Sequence, residues 1–335
     1  MSDEYLWNRS GPVDPEVERL ERLLGRLRST PPEPDWKRVE AATAGSRPSL
    51  FFLAAAAVLV LASAATLRLA IGEPPASWSV VRVSGEPTVG DTRVAGSARL
   101  GVGEWLSTDA DSSASVAIGT VGRLDVDPAT RLRLLSARDG DQRVSLVQGT
   151  VHAVVWAPPG QFVVETPAST AVDLGCAYTL SVSSDGTGLI DVSLGWVGFE
   201  HAGREAFIPA GARCATRPGA GPGTPYYADA PEALIRALGV LDVPDAGRGA
   251  RATALDTVLA RARARDALTL WHLLSRVPVE DRDGVYDTLA RLAPPPLGVT
   301  REGIRRGDRA MRDAWWAELG LGTSDWWRMW ERKWR

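Results

Sequence analysis

Hydrophobic and polar positions divide the chain into stretches with different periods. The sharpest contrast is the apolar run from Leu50-Phe51-Phe52-Leu53 to Ala64-Ala65-Thr66-Leu67, which carries no charge until Arg68. With Ala70 and Ile71 it covers about 22 residues, roughly 33 Å of helix against a hydrocarbon core of about 30 Å. A buried core helix would carry a polar stripe, whereas this run is broken only by Ser63 and Thr66. The pattern predicts one transmembrane helix over 49–71. Ala62-Ser63-Ala64 would suit a signal-peptide cleavage site, but nearly 50 residues precede the run where a short basic region belongs.

Before that run, in 1–48, the period is helical. Val13, Val17, Leu20, Leu24 and Leu27 recur at spacings of four and three and form one apolar face. Asp14 is a suitable N-cap, Pro15 suits the first helical position, and the prolines from Pro31 end the helix. One amphipathic helix of about 15 residues is marginal alone in water. Its face needs a partner's groove, the membrane surface, or Leu6 and Trp7 nearby.

From 78 to 216 the period becomes two. Trp78–Val83, Ser113–Ile118, Arg131–Leu134, Arg143–Val147, Phe162–Glu165 and Ile190–Leu194 alternate as half-buried strands, with glycines and Asp-Gly pairs between them. Many short strands at such intervals predict a mainly β outer domain, a solenoid-like stack or rolled β-sandwich. Two phrases resemble each other, Val144–Val151 and Ile190–Val197. In both, a strand meets a glycine and restarts at once, as at a sharp corner that a Cβ would resist.

Past the Gly/Pro-rich stretch Arg217–Gly223, read as a linker, 225–335 reads as an α-helical C-terminal region. Helices are predicted over Ala252–Leu274, around Val285–Leu292 and over Asp308–Leu319, the last closed by Gly320. Trp326, Trp327, Trp330 and Trp334 then fall at helical spacing among Arg328, Arg332, Lys333 and Arg335. Such a basic-aromatic helix suits packing on the preceding helices, a membrane surface or a partner.

Charge gives these stretches a direction. Lys37, Arg38 and Arg47 precede the apolar run, while Arg68 is followed by Glu73, so the N-terminus is expected in the cytoplasm and 72–335 in the periplasm. A net charge of −3 provides no polycationic surface for nucleic acid. The two cysteines, Cys176 and Cys214, fall on the expected outer side, either as a disulfide or as two buried thiols. None of the three histidines, His152, His201 and His272, has metal-ligand spacing to a cysteine, and no phosphate loop or serine elbow occurs. Asp125, Asp127, Asp173 and Asp191 are the carboxylates one would consider for catalysis or calcium, but carboxylates at strand edges are mostly solvated. No enzyme activity, metal or cofactor is expected.

The outer phrases Val144–Val155, Phe162–Pro167, Val172–Leu180, Val192–Val197 and Ile208–Gly211, in this order, resemble the FecR family of transmembrane signal transducers and anti-sigma regulators. The resemblance implies a single-pass inner-membrane regulator whose periplasmic β domain senses a signal while 1–48 holds a cytoplasmic ECF-type sigma factor. It departs from the family in its short inner segment and in lacking a small terminal α/β module, so no iron-uptake role is carried over. The other reading is a membrane-tethered periplasmic binding module for cell-wall glycan or a protein partner.

Overall fold

The structure, a computed structural model, describes residues 76–321 and, nearer the N-terminus, Glu18, Arg19, Arg22, Leu23 and Leu24. The chain separates into two compact units, Met1–Gly72 and Glu73–Arg335. In the first, the described residues are helical and exposed, and Arg22 pairs with Glu18 one turn away.

The second unit opens with eighteen strands among the described residues. These begin with β1 (Ser77–Ser84), β2 (Thr88–Val89), β3 (Thr92–Arg93), β4 (Ser97–Gly101), β5 (Trp105–Ser107) and β6 (Ser113–Ile118). Next come β7 (Gly122–Val126), β8 (Arg131–Arg138), β9 (Asp141–Val155), β10 (Phe162–Glu165), β11 (Thr170–Asp173) and β12 (Ala177–Val182). The series closes with β13 (Gly188–Leu194), β14 (Trp196–His201), β15 (Arg204–Pro209), β16 (Ala212–Arg217), β17 (Gly221–Pro222) and β18 (Tyr226–Tyr227).

Pairing sorts them into two layers. The first sheet runs β4-β1-β6-β7-β9-β12-β13-β16, with β17 and β18 both on β16. The second runs β3-β2-β5-β8-β9-β10-β11-β14-β15, antiparallel except where β10 lies parallel to β9. The hairpins β6–β7, β12–β13 and β16–β17 lie in the first sheet and β8–β9, β10–β11 and β14–β15 in the second, so the chain passes repeatedly from one layer to the other.

Strand β9 belongs to both sheets, and Gly149 is where it crosses. Before it the buried side chains are Gln142, Val144 and Leu146; after it they are Val151, Ala153 and Val155. The parity of burial inverts because the strand passes from one layer to the other while its inward face stays inward. Gly149 has φ +101°, and a Cβ there would lie 2.2 Å from Thr130 Oγ1. Gly195 repeats the device between β13 and β14: burial shifts from Ile190 and Val192 to Val197 and Phe199, with φ +70° and a Cβ position 2.2 Å from Gly175 O. The two similar phrases of the sequence are therefore the same layer-crossing corner.

The core lies between the layers. Trp78 on the first sheet meets Phe162 on the second with ring centroids 6.1 Å apart, and Trp78 Nε1 donates to Gln142 Oε1 at 2.7 Å. The buried indole N–H is thus satisfied.

Six α-helices follow among the described residues: α1 (Glu232–Leu241), α2 (Arg248–Arg261), α3 (Ala267–Leu273), α4 (Arg282–Leu292), α5 (Arg301–Arg306) and α6 (Arg309–Glu318). Thr300 caps α5 by accepting from Gly303 N, and Asp308 caps α6 by accepting from Met311 N. The helices share a continuous apolar core with the strands.

Three expectations are corrected. The helix over Ala252–Leu274 is broken: the chain turns extended at Ala262, and buried Asp266 accepts from Arg263 N and its guanidinium before α3 begins. Arg217–Gly223 is no linker but the tight β16–β17 turn, where Gly221 and Pro222 are buried. The fold class is corrected as well. The second unit is mainly β with helices only in its C-terminal part, and no helix among the described residues is long and apolar enough to cross a membrane. The longest of these six, α2, has 14 residues, about 21 Å, and carries Arg248, Arg251 and Arg261. The run 49–71 lies outside the described residues.

Candidate functional site

Among the described residues, strand β15 ends the second sheet and pairs only with β14. Its free edge carries backbone groups that need partners, and the helices supply them with side chains. His272 on α3 accepts the Phe207 N–H at Nε2 (3.1 Å), while its Nδ1–H donates to Leu268 O (2.8 Å). Those two bonds fix a neutral tautomer. Arg276, just beyond α3, donates from Nη2 to Glu205 O at 2.7 Å and from Nη1 to Thr224 Oγ1 at 3.2 Å. Arg204 at the start of β15 donates from Nε to Pro222 O (2.8 Å) and pairs with Asp242 (3.0 Å).

Beside this edge lies a recess of about 360 Å³, lined in part by Ala202 and Gly203. Arg204, Arg276, Arg312 and Ser275 give it polar walls; Trp271 and Phe207 give it an aromatic one. The Arg312 guanidinium lies 5.1 Å from the Trp271 ring centroid, and Trp316 packs on Trp271, Phe207 and Trp196 behind it. A second recess of about 470 Å³ shares Arg204 and Arg276, and Asp242 lines that one rather than the first.

Burial is the main influence on the ionisable groups here. It holds the His272 imidazolium form well below its ordinary range, and nearby Arg276 adds to the effect. Burial also lowers Arg276 to about 10; Asp242 opposes that shift, and Arg204 and Arg312 reinforce it. Arg276 therefore stays charged at neutral pH.

The residues singled out by sequence lie elsewhere. Leu24 is helical and 59% exposed; Val13, Val17, Leu20 and Leu27, and Trp326, Trp327, Trp330 and Trp334, lie outside the described residues. Cys176 and Cys214 are both buried and free, so the disulfide alternative is corrected. Ala177 pairs with Leu194 and Ile190 with Cys214, which offsets the two cysteines by roughly four residues, about 13 Å, along the strands. A disulfide needs Cα atoms within about 7 Å. Instead Cys176 Sγ donates to Asp173 Oδ2 at 2.5 Å and Cys214 Sγ donates to Gly223 O at 3.1 Å.

The four aspartates do not converge. Asp125 pairs with Arg123, Asp191 with Arg213, and Asp127 bonds His152 on the outer face of the first sheet. Asp173 alone is buried, and no cluster of three or more metal-ligating side chains occurs among the described residues. Arg204, Trp271, His272, Arg276 and Arg312 carry no motif in the sequence. They meet only through tertiary contacts.

Comparison with known proteins bears on the strands before this recess. Residues 104–197 match the family model described as FecR protein. The chain carries a FecR domain. It runs from β5 to the start of β14, so it includes β9, the Gly149 and Gly195 corners and the Asp173–Cys176 contact. Two crystal structures of a protein provisionally named an anti-sigma factor, from Parabacteroides distasonis ATCC 8503, are similar at 14% identity with a TM-score of 0.33. The similarity covers 40% of this chain and 63% and 62% of those chains, so this chain spans under two thirds of their length. No curated protein matches the sequence significantly. The arginine-lined recess lies C-terminal to the FecR domain, within 202–312.

Proposed function

We propose that this protein is a non-enzymatic sigma-factor regulator of the anti-sigma type. In this reading 1–48 contacts a cytoplasmic ECF-type sigma factor, and the FecR-bearing unit lies in the periplasm. The observation that carries it is the FecR domain over 104–197. The apolar face of 13–27 supports a contact role, and Leu23 and Leu24 are exposed at 55% and 59%. The apolar sequence at 50–67, with Lys37, Arg38 and Arg47 before it, supports a place at the inner membrane with the N-terminus inside.

The test is co-purification of the full chain with an ECF-type sigma factor from the cell that makes it. Capture is expected, and Leu20→Asp with Leu24→Asp should abolish it while the β unit keeps its folding transition. Capture unaffected by the double substitution, or no capture at all, refutes the reading. Location is tested separately by protease treatment of intact spheroplasts. Digestion of the β unit is expected, and its protection would place it inside.

A further inference from the structure

Exposed apolar side chains gather at one end of the first sheet, the end where β1 begins. Register places it: Ser79, Ala117, Arg123, Val154, Ala177 and Leu194 stand in one row across β1, β6, β7, β9, β12 and β13. Just past that row β4 turns at Gly101-Val102-Gly103, β9 ends before Trp156, and β13 reaches the Gly195 corner. Trp156 and Leu194 are each 65% exposed, and Val102 is 51% exposed. The Trp156 ring is held there, because its Nε1–H donates to Thr120 O at 3.0 Å. Its one polar group is thus satisfied, so the ring can leave water without stranding an N–H. Val83 is as exposed as Trp156 but lies toward the other end of β1. The turns at that other end are polar, with Asp109, Asp111, Ser183, Ser184 and Asp185 all exposed.

The chain leads to this same end from both directions. Five residues, Gly72 to Ala76, separate Ile71, the last of the apolar run, from Ser77 at the start of β1. Fully extended they reach about 20 Å, and Pro74-Pro75 stiffens them. The opposite end of the sheet lies roughly seven residues of strand farther on, about 23 Å, from the level of Gly101 to that of Gly188. Helix α6 approaches along the second sheet. Arg309 at its start lies 3.9 Å from Glu205, whereas Trp316 meets Trp196, next to the Gly195 corner, with ring centroids 5.9 Å apart. The helix therefore runs toward the end where β1 begins. The sequence that follows it, 322–335, carries four tryptophans among Arg328, Arg332, Lys333 and Arg335.

We infer that this end of the β unit rests on the surface of the lipid bilayer, with Val102, Trp156 and Leu194 in the headgroup layer. Tryptophan favours that layer, and a tether of five residues brings the bilayer within reach of this end rather than the other. The basic side chains of 322–335 suit anionic headgroups. At the sheet end itself apolar insertion holds the contact rather than charge, since Arg123 there is paired with Asp125 at 2.9 Å. The inference rests on the reading of 49–71 as a membrane span.

The test uses the full chain reconstituted into vesicles of phosphatidylethanolamine and phosphatidylglycerol containing a lipid with a nitroxide near its headgroup. A nitrobenzoxadiazole fluorophore is attached through Val102→Cys, Trp156→Cys or Leu194→Cys, and at the opposite end through Ser184→Cys. Cys176 and Cys214 are buried and do not compete for the label. All four positions are exposed, so each variant should keep the melting temperature of the unlabelled chain. Flotation with the vesicles reports the span. In chains that float, the fluorophore at 102, 156 and 194 should be quenched about twofold or more relative to that at 184. Flotation with equal quenching at all four positions overturns the inference and leaves the span standing. Blue-shifted emission at 102, 156 and 194 without quenching assigns that end to a second copy or to 322–335, and overturns it as well. Failure to float removes the span and the inference with it. None of these outcomes touches sigma-factor capture.

Discussion

Asp173 offers the most direct test of how the FecR domain is held together. Its carboxyl is 2% exposed between the layers, accepting from Gly175 N at 2.7 Å and from the Cys176 thiol at 2.5 Å, with no cation among its partners. Burial pushes its pKa up from 3.8 to about 7, despite those hydrogen bonds pulling the other way. A group whose folded pKa is raised contributes its full stability below the unfolded pKa and loses it as pH rises through the folded one. For Asp173 that window runs from 3.8 to about 7. At about 1.36 kcal/mol per unit, a shift of this size corresponds to a ceiling of roughly 4 kcal/mol. Asp173→Asn keeps an acceptor for Gly175 N and cannot ionise. Denaturant unfolding followed by tryptophan fluorescence, run from pH 5.5 to 8.5, gives the wild-type-minus-variant stability. That difference should fall by about 2 kcal/mol between pH 5.5 and 8 and level off above about pH 8. A difference that stays flat with pH would refute the argument that a buried, ionisable Asp173 opposes folding at neutral pH.

The remaining predictions use the same unfolding assay. Gly149→Ala should cost clearly more than Gly140→Ala: both have φ near +74° to +101°, but only at Gly149 does a Cβ meet Thr130 at 2.2 Å. Their shared left-handed cost is about 1–2 kcal/mol, so equal losses would show that the corner does not depend on close approach. His272 is buried neutral, with its folded pKa lowered, so its contribution is fully present above the unfolded value of about 6.5 and is lost as pH falls below it. His272→Leu should flatten that acid limb while lowering stability at pH 8, because Phe207 N–H loses its acceptor. Trp316→Ala should cost about 3–5 kcal/mol, since it empties the place where Trp196, Phe207 and Trp271 meet. A loss under 1 kcal/mol would mean that the helices do not share a core with β14 and β15.

Much of the strand content was legible because alternation is a local signal. The stretches Ser113–Ile118 and Phe162–Glu165 are β6 and β10 to the residue, and the two glycine phrases pointed to corners. Composition misled where glycine and proline serve close packing. Arg217–Gly223 reads as a linker, yet a Cβ on Gly221 would sit 2.9 Å from His201 Cβ, and one on Gly223 2.7 Å from Asp242 Oδ2. Helix propensity likewise ran through Arg263-Ala264-Arg265-Asp266, because the buried Asp266 that stops the helix is visible only once its surroundings are. The helix α1 falls inside the stretch read as helical, 225–335, but was not picked out: Pro231 opens it without a capping side chain, although Leu234, Ala237, Leu238 and Leu241 form a buried face and the helix packs on α2.

The recess was illegible for a reason that also accounts for its chemistry. A winding two-layer roll must stop, and stopping leaves an edge with an unpaired N–H and C=O on β15. Another strand would have met that edge at about 4.8 Å and left no space. Here the edge is met by a histidine and an arginine four residues apart, His272 and Arg276, reaching Phe207 N and Glu205 O from α3 and its C-terminal end. Side chains of that length hold the helical layer farther from the strand than a ladder would. They also bring a permanent positive charge to the seam, with its carboxylate partner, Asp242, on the far side. Open volume and the buried guanidinium of Arg276 at this place thus share one cause, the capping of a sheet edge by long basic side chains rather than by backbone. A sequence reading that scores periods and motifs has no means of seeing such a cause, because 204, 276 and 312 are joined only by the end of the sheet.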